Sequence, residues 1–134
     1  MTIVERIETF LASAAFAVVG ASAKPYKYGN KVLRCYQQNH RHVVPVNLVE
    51  KEIEGLACVA SVADLPEEVA SISVITPPQE TEKVVAQAIA RGITNVWMQP
   101  GAESAKAVAA CEQAGVNVIA DGSCVLVVLG YREH

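Results

Sequence analysis

Residues 15–25 read AFAVVGASAKP, and the fold turns on this stretch. Ala15–Val19 is an unbroken apolar run with no polar residue to mark a wet face. Strands buried on both sides have this pattern, which belongs to the middle of a parallel sheet. Gly20 ends the run, and residues 21–28 are small or turn-forming. In residues 29–40, Val32, Leu33 and Tyr36 fall at helical spacing. The chain therefore passes from strand through loop to helix, the first half of a βαβ unit.

Outward from this unit the same alternation recurs. Residues 43–46 form a second apolar strand closed by Asn47, and 72–75 a third, stopped by Thr76-Pro77-Pro78. Residues 93–98 are a further strand followed by Gln99-Pro100-Gly101, and 116–119 are the last clear one. Helices are expected near 79–91, burying Val85, Ala88 and Ile89, and near 102–114. Gly92 and Gly115 follow them as helix stops. Ahead of the first strand, Ile3, Ile7, Phe10, Leu11 and Ala14 make one apolar helix face, with Glu5, Arg6 and Glu8 opposite. The pattern weakens between 48 and 66, where 57–59 is expected as a short edge strand. Strands alternating with helices imply right-handed crossovers and a parallel sheet. The expected fold is three-layer α/β, a mostly parallel sheet of about five or six strands with helices on both faces. All 134 residues form one domain.

Composition narrows the function. Half of the chain is apolar (51%) and 19% is charged, too little charge for disorder. The net charge is −3 with no basic run, which speaks against nucleic-acid and membrane surfaces. Cys35, Cys58, Cys111 and Cys124 lie far apart, as reduced thiols of a cytoplasmic protein do, and give neither a zinc site nor a disulfide framework. The first residues, MTIVERIETFLA, lack the basic start of a signal peptide. No nucleophile–base pair, metal cluster or Walker-type Gly-Lys-Ser is visible, so neither catalytic nor metal residues are assigned.

Ligands of an open parallel sheet sit beyond the carboxyl ends of its strands. Four strands here end in Gly20-Ala21-Ser22, Pro45-Val46-Asn47, Thr76-Pro77-Pro78 and Gln99-Pro100-Gly101. The topology puts all four on one edge. Ser22 offers a hydroxyl, Lys24 a positive charge, and Tyr28-Gly29-Asn30 opens a helix whose free N–H groups favour a phosphate. The same residues also suit a plain strand–loop–helix turn. The dinucleotide fingerprint needs two further glycines after Gly20 and an acid ending the second strand. Residues 21–24 lack those glycines and Asn47 stands in place of the acid, which argues against NAD.

Gly20-Ala21-Ser22-Ala23-Lys24-Pro25 followed by Tyr28-Gly29-Asn30-Lys31-Val32 resembles the signature of the CoA-binding domain proteins. These are small stand-alone relatives of the CoA-binding domain in the succinyl-CoA synthetase alpha subunit. The likeness continues through Val44-Pro45-Val46-Asn47, Asp64-Leu65-Pro66, Thr76-Pro77-Pro78 and Trp97-Met98-Gln99-Pro100-Gly101. It implies a Rossmann-like fold holding coenzyme A or an acyl-CoA. By the resemblance, Gly20, Ser22, Lys24, Tyr28, Gly29 and Asn30 surround the phosphates and nearby nucleotide. Asn47, Thr76 and Pro77 border the adenosine or ribose, and Gln99, Pro100 and Gly101 flank the pantetheine arm. The chain departs from the family at Leu48, where proline is common. It departs again at Asp121-Gly122-Ser123-Cys124, where an Asp-Arg-Cys-like segment is usual, so no role is carried to that segment.

Three functions follow from this reading. The first is a binding module that holds CoA as carrier, sensor or regulator. The second is an enzyme, either an NAD(P)-linked oxidoreductase or a CoA-dependent transferase completed by a partner chain. The third is a protein-interaction subunit with a vestigial groove; the sequence names no protein partner. Elsewhere the structural reading is preferred: Trp97 and Cys124 as packing residues, His40 and His42 as helix-end cations, Asp121 as a lone carboxylate. Tyr26 and Tyr28 suit either a cover for the cofactor or packing on the loop.

Overall fold

The structure, a computed structural model, describes residues 1–133. In chain order its helices are α1 (Ile3–Leu11), α2 (Tyr28–Gln38), α3 (Pro78–Arg91) and α4 (Ala105–Gln113). Its strands are β1 (Ala15–Val19), β2 (His42–Val46), β3 (Glu52–Ile53), β4 (Leu56–Ala57), β5 (Ser71–Val74), β6 (Asn95–Met98) and β7 (Asn117–Ile119). Five of the strands form one parallel sheet in the order β2-β1-β5-β6-β7. The expected three-layer α/β fold is the observed one.

Alternation along β1 shows how the layers are made. Ala15, Ala17 and Val19 face a cluster containing Val85 and Ala88 of α3 and Ala107 and Cys111 of α4. Phe16 and Val18 face the opposite cluster, with Phe10 of α1 and Val32, Leu33 and Tyr36 of α2. Because every β1 residue meets apolar atoms on one face or the other, the run carries no polar position. The second cluster has an aromatic centre. Phe10 stands edge-on to Trp97 with centroids 5.3 Å apart, and Phe16 stacks on Tyr36 at 5.0 Å. Trp97 is fully buried and its indole N–H donates to Ser123 O at 3.0 Å, so it packs in the core.

Two segments differ from the sequence expectation. The edge strand expected at 57–59 is an antiparallel hairpin of β3 and β4, after which Val59 makes a single parallel bridge to Val46. Glu54 and Gly55 at the hairpin tip both have positive φ, 51° and 79°. This is the conformation of a tight two-residue hairpin, usually announced by Asn-Gly or Asp-Gly. With glutamate in the first place, and only two residues per strand, the signal is hidden. After β7 the chain forms a π turn at Leu126–Gly130 that no periodicity announced.

Candidate functional site

The strand order reverses between β1 and β5, because the chain first steps outward to β2 and then crosses back. Such a reversal opens a crevice beyond the strand ends. Here two glycines shape it. Gly20 has φ +96°, and a Cβ there would lie 2.0 Å from the Ile75 carbonyl oxygen. Gly29 has ordinary helical backbone, but its Cβ would lie 2.0 Å from the Gly20 carbonyl oxygen. The end of β1, the segment after β5 and the first turn of α2 thus meet backbone to backbone.

Helix capping divides the four helices into pairs. Thr2 and Glu5 close a capping box on α1, and Ser104 Oγ accepts from Ala107 N at 3.3 Å to cap α4. By contrast, α2 starts after Lys27 and α3 after Pro77, neither with a side-chain cap. The first N–H groups of a helix have no intrahelical acceptor. At α2 the N–H of Asn30 turns back to Lys27 O, while those of Tyr28 and Gly29 and the positive end of the dipole remain available to an anion.

The expected site residues fall into two adjoining hollows and a buried layer. Gly20, Ser22, Tyr28, Gly29 and Asn47 line a hollow of about 390 Å³, together with Ala21, Lys27 and Ile75. Thr76, Pro77, Pro100 and Gly101 line a second of about 260 Å³ with Ala102, and Ile75 is shared between the two. Lys24 is exposed on the loop above, where its backbone N–H donates to Ser22 Oγ at 3.1 Å. Sequence reasoning missed Lys27, although its position directly before the helix is countable from Gly29. It also missed Ile75 and Ala102, which carry no chemical signature.

Two asparagines serve as fasteners. Asn47 donates to Ala21 O at 3.0 Å and accepts from Val49 N and Glu50 N at 2.8 Å, tying the ends of β1 and β2 together. Asn30 is fully buried. Its amide donates to Ser22 O at 2.8 Å and to Glu54 Oε2 at 3.1 Å, and its Oδ1 accepts from Arg34 Nε at 2.6 Å. Arg34 in turn donates to Pro25 O at 2.7 Å. Asn30 therefore acts on the loop through its geometry. Replacing it with leucine strands several polar groups, each worth about 1–3 kcal/mol when left unsatisfied. Asn30→Leu is expected to lower the melting temperature clearly, and so is Asn30→Asp, which keeps the Arg34 contact but sets a carboxylate oxygen against Ser22 O and the Glu54 carboxylate. Equal melting of all three proteins counts against this assignment.

Gln99 lies beneath the hollows, fully buried. Its Oε1 accepts from Tyr28 Oη at 3.0 Å and from Val125 N at 2.9 Å. Tyr28 Oη also contacts Cys124 Sγ at 2.7 Å. Burial, and then the Cys124 contact, push the Tyr28 phenol well above the usual range, so it stays neutral. Asp121 lines a separate hollow with Arg6 and Val118, and hydrogen bonds from Ser123 hold its carboxyl below the usual range. Among the described residues no group of three His, Cys, Asp or Glu is placed to hold a metal. No described helix is long and apolar enough to cross a membrane.

Fold and site together define a Rossmann-like α/β domain with its groove at the switch point of a parallel sheet. The family model described as CoA binding domain matches residues 14–130, and the chain belongs to that family. It is 30% identical over 93 residues to the alpha subunit of acetate–CoA ligase [ADP-forming] II from Pyrococcus furiosus. That match takes in 67% of this chain and 20% of the subunit, so the chain spans about a fifth of that relative. Among solved structures, a conserved hypothetical protein from Pyrococcus furiosus superposes with a TM-score of 0.81 at 40% identity, over 85% of this chain and 97% of that one. A hypothetical protein from Pyrococcus horikoshii OT3 gives a TM-score of 0.87 at 29% identity, over 95% and 89% of the two chains.

Proposed function

We propose that this protein binds coenzyme A or an acyl-CoA in the groove between β1 and β5, as a carrier or regulatory module of the cytoplasm. The observation that carries this reading is the uncapped start of α2 packed against Gly20. It offers backbone N–H donors and a dipole end to a pyrophosphate, with the Ser22 hydroxyl, Lys24 and Lys27 alongside. The hollow of Thr76, Pro77, Pro100 and Gly101 continues from there as a less polar trough suited to the pantetheine arm. No acid stands at the end of β2 for the ribose of NAD, since Asn47 is there and its side chain already braces the loop. The free state of all four cysteines fits a reducing compartment.

A second reading has one observation behind it. The ligase subunit that this chain resembles is about five times longer than the matched segment. A CoA-dependent transferase completed by a partner chain would use the same groove.

Calorimetry on two variants tests the phosphate assignment. A hydrogen bond to a charged group is worth about 1.5–3 kcal/mol, or roughly ten- to a hundredfold in affinity. Ser22→Ala is expected at the lower end, because Ser22 Oγ also accepts from Lys24 N. Lys24→Glu is expected to weaken CoA more, and the loss is expected to shrink as salt is raised. Undiminished affinity in both variants removes the phosphate from this loop.

A further inference from the structure

Gln99 presents an anomaly that the scaffold does not resolve. Its side-chain oxygen is doubly engaged, yet its Nε2 is buried with no acceptor. The N–H of Val125 fixes which end of the amide is the oxygen, since that donor needs an acceptor. An amide group buried without a partner costs about 1–3 kcal/mol, which a ligand carbonyl would relieve. The half-buried thiol of Cys124 is bridged to the oxygen of the same amide through Tyr28 Oη.

The hydrogen-bond directions follow from this arrangement. The Gln99 oxygen can only accept, so Tyr28 donates its hydroxyl proton there and accepts the S–H of Cys124. When the thiol loses its proton, rotation of the Tyr28 hydroxyl turns the same group into a donor to the thiolate. The cluster lies two strands from Gly20 along the carboxyl edge, β1 to β6, or roughly 10 Å at the usual strand spacing. The flexible arm joining the pyrophosphate of CoA to its sulfur covers that distance. The other thiols are placed differently. Burial pushes Cys35 and Cys111 up to about 11, and Cys58 lies by the β3–β4 hairpin.

We propose that Tyr28, Gln99 and Cys124 form a receptor for the sulfur end of the ligand, in which Cys124 exchanges with a CoA disulfide and holds CoA covalently. This rests on the CoA reading above. The Cys124 thiolate attacks one sulfur of the CoA disulfide, a Cys124–CoA disulfide forms, and the other CoA leaves as thiolate to take up the thiol proton. One disulfide is made for each one broken, so no further oxidant is required. The Gln99 Nε2 donor takes an amide carbonyl of the arm and sets its direction.

The test is intact-mass spectrometry of the whole chain after incubation with CoA disulfide, with glutathione disulfide as the control lacking a nucleotide. The expected result is one CoA per chain, removed by dithiothreitol, mapped to Cys124 by peptide analysis of the unaltered protein. Its formation is expected to be at least tenfold faster than that of the glutathione adduct. Cys124→Ser is expected to give no adduct, and Cys58→Ser to give the full adduct, each checked for folding by its melting curve. An adduct on Cys58, or equal rates with the two disulfides, overturns the proposal. So does the absence of an adduct from protein that binds CoA under reducing conditions, and this leaves the CoA reading intact. Failure to bind CoA under reducing conditions overturns both.

Discussion

Gly29→Ala is expected to abolish CoA binding and to destabilise the protein by about 3 kcal/mol or more, as overpacking of a tight contact does. The added methyl has no room, since its carbon would sit 2.0 Å from the Gly20 carbonyl oxygen and 3.0 Å from the carbonyl carbon. Both are backbone atoms, so a side-chain rotation cannot relieve the contact. The start of α2 must move off β1, and its N–H groups lose their aim at the groove. Gly20→Ala should act in the same direction for two reasons at once. A left-handed φ of +96° is unfavourable for alanine, and its Cβ would meet the Ile75 carbonyl oxygen at 2.0 Å. Thermal melts combined with CoA titration check both variants. A Gly29→Ala protein that binds CoA with unchanged affinity shows that the close approach does not build the site.

Phe10→Ala is expected to have as large an effect on stability and a much smaller one on the groove. Phe10 is fully buried on the face of the sheet that α1 and α2 cover, against Phe16 and Trp97. Truncation of a buried phenylalanine costs about 3–5 kcal/mol through lost burial and the cavity left behind. In a chain of 134 residues this corresponds to a fall in melting temperature of roughly 10–20 °C. Phe10 reaches neither hollow, so CoA affinity measured well below the new midpoint is expected to stay within a few-fold of the original. A loss of affinity as complete as that of Gly29→Ala would mean that α1 shapes the site.

The contrast between these variants bears on what the sequence makes legible. The layers were readable because most main strands are largely apolar and four of them end in turn or polar residues that topology brings to one edge. Gly20 was readable as the turn that ends the first strand and Gly29 through the family resemblance, whereas the close approach that both allow is seen only in the fold. What escaped was specified by partners distant in the chain. The β3–β4 hairpin depends on Glu54 adopting a positive φ while its carboxylate binds Asn30. Asn30 itself reads as a phosphate donor in sequence, but folding turns its amide inward to Ser22 and Glu54. Gln99 is similar: its place beside Pro100 and Gly101 suggests a groove residue, whereas its side-chain oxygen is turned to Tyr28 and Val125. No local pattern distinguishes a polar side chain that faces a ligand from one that fastens the loop around it.

The proposed function puts coenzyme A in the groove between β1 and β5. Calorimetry of the unaltered protein with CoA, acetyl-CoA, 3′-dephospho-CoA, NAD and NADP, paired with thermal melts, tests it most directly. A ligand that binds only the folded state stabilises it by about 2.7 kcal/mol at a hundred times its dissociation constant. Saturable binding and a raised melting temperature are expected with CoA or acetyl-CoA, and neither with NAD or NADP; the dephospho form shows whether the 3′-phosphate is read. Binding of NAD or NADP without CoA overturns the coenzyme A assignment and places the protein among the oxidoreductases.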